Sequence, residues 1–120
     1  MDRTFLLLGA IAAFLAVTLG AFGAHGLRGR LSPEMMAVFQ TAVQYNMYHA
    51  LALLLVSAMM GRFSGWLIQT AGWSFVAGIV LFSGSLYALA LSGVTILGAI
   101  TPIGGLAFLI GWACLAFAAF

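Results

Sequence analysis

Residues 4–24, TFLLLGAIAAFLAVTLGAFGA, form an unbroken run without a charged side chain, and this run decides the fold. About 20 apolar residues at 1.5 Å each cross the roughly 30 Å of hydrocarbon in a bilayer. Backbone N–H and C=O groups find no water there, so only helices and closed barrels span. The run lacks the in–out alternation of a barrel strand, which leaves a helix. Outward from it the pattern repeats. The chain has 120 residues, 65% of them hydrophobic and 5% charged, with a mean hydropathy of +1.21. A soluble domain carries about 25% charged residues. Soluble enzymes, nucleic-acid binders and disordered tails are therefore excluded, and four arginines without a lysine make no basic stripe.

The spacing predicts an all-α integral membrane protein, one domain over residues 1–120, with four transmembrane helices at 4–24, 33–60, 66–91 and 102–120. Short connections make an up-down bundle the natural topology. Helix two is extended at its N-terminal end, where Ser32-Pro33-Glu34 reads as an N-cap, a first-turn proline and an acid at the positive dipole end. Thr101-Pro102 predicts the same start for helix four. Ala21-Phe22-Gly23 offers a small-x-small cleavage pattern, but the glycine and alanine spacing of helix one reads as packing surface and a retained segment. Arg3 and Arg62 fall on one side and Arg28 and Arg30 on the other, so the positive-inside count ties. The terminal amine tips the expected orientation toward both termini in the cytoplasm.

Lipid gives helices little reason to hide apolar groups, so close approach and polar contacts must hold them together. Gly9, Gly20 and Gly23 on helix one, Gly78 and Gly84 on helix three, and Gly104 and Gly111 on helix four are the predicted packing positions.

Helix two carries the polar groups. At 100° per residue, Glu34, Gln40, Thr41, Gln44, Tyr45, Tyr48 and His49 fall on one arc, with Met35, Met36, Phe39, Val43 and Met47 opposite. Polar side chains in a membrane face protein or a wet cavity, so this arc is expected to face the other helices. Glu34 and Arg62 flank His49 at nearly equal separations, roughly 20 Å on a straight helix, which puts it near the midplane. Pairing across the 61–65 turn sets His49 level with Gly78 and Gln44 level with Ser83. A candidate polar pocket follows: His25, Gln44, Tyr45, Tyr48, His49, Ser83, Ser85, Tyr87 and Thr101. It opens on the side of the 25–34 and 92–101 connections; the other side offers only Arg3, Arg62, Ser64 and Gln69. His49 reads either as a structural histidine bonded to a neighbour or as a proton-handling group beside Tyr45.

His25 and His49 have no cysteine or carboxylate to complete a ligand set, so no metal site and no cofactor is expected. No catalytic residue is assigned. The lone Cys114 forms no disulfide within the chain, and Trp66, Trp73 and Trp112 read as interfacial or packing residues.

Four segments in order, Gly20–Leu27, Thr41–Leu53, Leu81–Tyr87 and Gly98–Gly105, closely resemble one family. It is the small membrane family catalogued as domain of unknown function 423, whose animal relatives are called transmembrane protein 256. The resemblance implies a four-helix bacterial inner-membrane protein and supplies no reaction or substrate. Gly23, His25, Tyr45, His49, Ser83, Gly84, Ser85, Tyr87, Thr101, Pro102 and Gly104 match its motif positions. Asn46 departs from it, standing where Gln or His is expected.

Three functions compete. The first is non-enzymatic support of the membrane or envelope, through membrane lipids, a homo-oligomer or another membrane protein, with no nucleic acid involved. The second is a small carrier or proton-coupled transporter using His49 and the polar face of helix two. The third is a membrane enzyme acting on a lipid or quinone at the His25/Tyr87 face.

Overall fold

The computed structural model describes residues 2–63 and 65–120, so Met1, with its terminal amine, and Ser64 lie outside the described residues. The chain is all-helical, with no strand among the described residues. Helix α1 covers Asp2–His25 and α2 covers Pro33–Met59. Helix α3 runs continuously over Gly65–Ser92, and α4 covers Thr101–Ala119 after a 3-10 segment at Thr95–Ala99. By length and composition α1, α3 and the stretch Thr95–Ala119 can cross a membrane. Helix α2 is long enough, but Gln40, Thr41, Gln44, Asn46 and His49 dilute its apolar run.

The two predicted helix starts fare differently. Ser32 is extended, and its hydroxyl accepts from the Met35 N–H at 3.1 Å, capping α2 with Pro33 in the first turn. Helix α4 has no side-chain cap, contrary to expectation. The 3-10 segment feeds directly into it, the Ile100 carbonyl accepts from Ile103 and Gly104, and the Thr101 hydroxyl is used elsewhere. At the other boundaries the chain reverses on glycines. Gly61 (φ +90°) turns α2 into α3, and Gly93 (φ +73°) ends α3 with its N–H on the Leu89 carbonyl.

Contacts run antiparallel around the bundle. Gly9 of α1 lies against Leu53 and Leu54 of α2, and Gly23 against Phe39. Phe75 of α3 lies against Gly111 of α4, and Gly104 against Phe82. Tyr45 and His49 of α2 meet Phe82 and Phe75 of α3. The result is an up-down arrangement with principal extents of 47 × 25 × 18 Å.

Phenylalanine rings seated on glycines bring the helices close at four places. Phe5 of α1 covers Gly72 of α3, Phe39 of α2 covers Gly23 of α1, and Phe75 and Phe108 cover Gly111 and Gly78 across the α3–α4 seam. All four rings are buried, at 4% exposure or less. A Cβ at any of these glycines would strike the ring. At Gly104 it would strike the Phe82 backbone itself, so α3 and α4 touch main chain to main chain. Gly84, expected to pack, meets nothing closer than 3.9 Å and is no contact point. Gly72 takes that role instead, about three helical turns toward the start of α3.

Within α3, Ile79–Ser83 forms a π-turn, closed by the Gly84 N–H on the Ile79 carbonyl. Such turns break the regular hydrogen-bond ladder. Here the Ser85 hydroxyl donates to the Phe82 carbonyl at 2.9 Å, restoring a partner beside the Gly104 contact.

Replacing Gly104 with Ala should force α3 and α4 apart and cost about 1–3 kcal/mol, the range for overpacking a filled interior. Gly98→Ala, whose new Cβ meets only Leu89 at 3.8 Å, should leave stability unchanged. Thermal unfolding of the two variants in detergent micelles separates these outcomes; equal melting temperatures would mean that the backbone contact carries no weight.

Candidate functional site

The buried face of α2 is Phe39, Ala42, Asn46, His49, Ala50, Leu53 and Val56, which recur every three or four residues and so share one side. This corrects the expected polar arc. Phe39, assigned to the outside, is buried, whereas Gln40 and Gln44 are exposed and Tyr48 is 54% exposed. The arc was too wide to turn inward whole. Large apolar rings and small residues, not polarity, choose the face that packs against glycine.

His49 sits at the centre, 4% exposed. Its ring stacks on Phe108 at 3.5 Å between centroids and 9° between planes. Phe108 in turn rests on Gly78, so the space opposite His49 at that glycine holds a phenyl ring and not the imidazole. Phe75 and Trp112 close the sides, with centroids 5.5 and 5.8 Å from the imidazole. The Trp112 indole N–H donates to His49 Nε2 at 3.0 Å, and Nδ1 lies 2.8 Å from the Tyr45 carbonyl. An indole can only donate and a carbonyl can only accept. Nε2 must therefore be the bare nitrogen and Nδ1 must carry the proton. One tautomer of the neutral ring satisfies both contacts and ties α2 to α4.

Two further polar contacts join other helix pairs. Asn46, 3% exposed, donates from Nδ2 to the Tyr87 hydroxyl at 2.9 Å, linking α2 to α3. The Ser85 and Thr101 hydroxyls lie 2.6 Å apart and link α3 to the start of α4. Phe39 packs edge-on against Tyr87, with centroids 5.3 Å apart.

The residues grouped as one polar pocket are thus distributed. His49, Ser83 and Ser85 are buried, with Tyr87 and Thr101 partly so; Tyr45 is 37% exposed and packs on Phe82. His25 is exposed at the end of α1, and no hydrogen bond or ring contact joins it to Tyr87 among the described residues. Gln44 lies on the outer cleft between α1 and α2, beside Gly20 and Gly23. The interior polar groups form three separate cross-helix contacts instead of one cavity. Among the described residues no group of three His, Cys, Asp or Glu side chains is placed to hold a metal.

Sequence reasoning missed two participants. Trp112 reads from the sequence as an interfacial or packing ring, without its hydrogen bond to His49; its donor N–H one turn beyond Phe108, facing the same side as Gly104 and Gly111, is the available signal. Asn46 stood out only as a departure from a family pattern. Two polar atoms in this region, Asn46 Oδ1 and the Ser83 hydroxyl, are buried without a hydrogen-bond partner.

Comparison with known proteins gives consistent matches. The profile of the family described as "Protein of unknown function (DUF423)" matches residues 19–105. The UPF0382 membrane protein YwdK of Bacillus subtilis is 54% identical over 118 residues, covering 98% of this chain and 96% of the relative. The UPF0382 membrane protein SERP0230 of Staphylococcus epidermidis is 53% identical over 116 residues, covering 97% and 94%. No solved structure matches.

Trp112→Phe should strand His49 Nε2 without a donor and cost about 1–2 kcal/mol, the upper range for an interhelical hydrogen bond in a membrane protein. His49→Leu in the same chain should recover part of that loss, because neither partner then stays unpaired. A double-mutant cycle on unfolding in micelles reads the coupling; additive losses would show that the pair does not interact.

Proposed function

The chain belongs to the family of membrane proteins described as protein of unknown function DUF423, and from that premise we propose a non-enzymatic role. We read it as a bacterial plasma-membrane protein with four membrane-spanning helices that supports the membrane through contacts with lipid and with other membrane proteins. The observation that carries this reading is the commitment of six polar side chains to contacts between helices. His49, Trp112, Asn46, Tyr87, Ser85 and Thr101 each bind another helix in three separate contacts, so they serve as ties between helices and do not converge on one cavity as a catalytic or relay set would.

Support for α2 as the fourth span comes from its neighbours. It runs antiparallel along α1 from Phe39 to Leu54 and also packs against α3. A helix in continuous contact with two spanning helices crosses where they cross. Its polar centre is tolerable because Asn46 and His49 point into protein and not into lipid.

Deleting the gene in a bacterium that carries this chain should make cells more permeable to an otherwise excluded dye under ethanol or detergent stress, and re-expression should reverse it. Purified chain in proteoliposomes should give no proton flux above empty vesicles. A flux that His49→Leu removes, with the melting temperature held within a few degrees, would overturn this reading in favour of a carrier.

A further inference from the structure

A cleft of about 170 Å³ lies between α1 and α3. Ile11 and Leu15 form one wall, Ile79 and Val80 of the π-turn form the other, and Leu53 and Asn46 of α2 make the floor. Asn46 is the single polar side chain among its lining residues. Its Nδ2 is taken by Tyr87, while Oδ1 has no partner and lies covered just beneath the lining, so an occupant reaches it by a small turn of the lining side chains. Ile11, Leu15 and Val80 are exposed on the outer surface, so the cleft opens sideways, toward hydrocarbon in the bilayer.

We infer that this cleft binds a small apolar molecule carrying one hydroxyl group, whose O–H donates to Asn46 Oδ1 while its body lies between the α1 and α3 walls. The inference does not depend on the role proposed above. A dry cavity of about 150 Å³ lined by Leu, Ile and Phe holds a benzene ring, so one ring or a short branched chain fits the volume here. Water is a poor occupant. A buried water needs two to four polar partners, and this lining supplies one. A plain acyl chain would fill the space and leave the amide oxygen unpaired. Only a group that adds a donor to an apolar body meets both demands.

Depth narrows the ligand further. Asn46 lies three residues from His49, near the middle of the span. A long-chain alcohol anchored by its hydroxyl at the headgroups could not reach it. The ligand class is therefore a compact phenol or alcohol that dissolves wholly in the hydrocarbon phase.

The test uses the full chain in lipid nanodiscs and two probes of matched shape, 3-fluorophenol and 3-fluorotoluene, followed by fluorine NMR relaxation. Empty nanodiscs give the partitioning background. The phenol should show a saturable component on wild-type nanodiscs, and at equal concentration in the membrane the toluene should bind roughly tenfold more weakly, the worth of one net hydrogen bond. Asn46→Leu should abolish that preference. Should this variant fail to fold, Asn46→Leu with Tyr87→Phe removes both halves of the existing hydrogen bond, leaves neither unpaired, and should abolish it equally. Equal saturable binding of the two probes, no saturable component on the wild type, or a preference that survives the loss of Asn46 would each overturn the inference.

Discussion

A phenyl ring lying flat on a glycine is the contact on which the rest of this bundle depends. In lipid, a Leu on one helix gains little by leaving the hydrocarbon for another helix, because both surroundings are equally apolar. What remains is dispersion, which falls steeply with small gaps. A ring over a glycine removes the gap, since no Cβ holds the backbone away. Phe5, Phe39, Phe75 and Phe108 do this at four places spread over three helix pairs. The exchange of Phe75 and Phe108 between α3 and α4 is reciprocal: each helix supplies one ring and one glycine. That arrangement fixes register as well as distance, because sliding either helix by one turn would move both rings onto side chains.

The hydrogen bonds sit on top of this packing and could not exist without it. His49 reaches Trp112 because Phe108, held down on Gly78, gives the imidazole a flat surface to stack on. The Ser85–Thr101 contact depends in the same way on Gly104 bringing the main chains of α3 and α4 together. The π-turn belongs to this region too. Its irregular backbone at Ile79–Ser83 is covered on the Leu81 and Phe82 side by α4 and the Ser85 hydroxyl, while Ile79 and Val80 wall a cleft on the other side.

The helices were legible in the sequence because their signals are local. The apolar run at 4–24 and the Ser32-Pro33-Glu34 start depend on neighbours in the chain. Most of the packing glycines were legible for a related reason, since small residues at helical spacing mark a face. Polarity was misleading on α2, where Gln40, Gln44 and Tyr48 share an arc with His49 yet turn outward. The rule that polar groups face protein holds only when the interior has room, and here Phe39 and Asn46 fill it first. The Thr101 hydroxyl had two partners open to it, its own helix end or Ser85 across the seam. Choosing between them requires knowing that α3 passes close by, which no stretch of residues around Thr101 records.

The outward polar stripe bears on how α2 sits in the membrane. Gln40 lies about two turns inside the Pro33 start, and the first turns of α2 extend past the end of α1, where Gly23 is level with Phe39. With α2 as the fourth span proposed above, Gln40 is near the headgroup boundary and Gln44 one turn deeper, where a glutamine's long side chain can still reach back toward water. Tyr48 is deeper again and presents a ring. Polarity along the outer face of α2 therefore falls along the chain, from amides in the first half to a phenol near the middle and then to Leu51 and Leu55 in the second half. A helix graded in this way is fixed in its vertical position from outside by solvation, while the phenylalanine–glycine contacts fix it from inside by shape. The two constraints agree on one register, and they agree because the same helix carries His49 at the level where Phe75 of α3 and Phe108 and Trp112 of α4 enclose it.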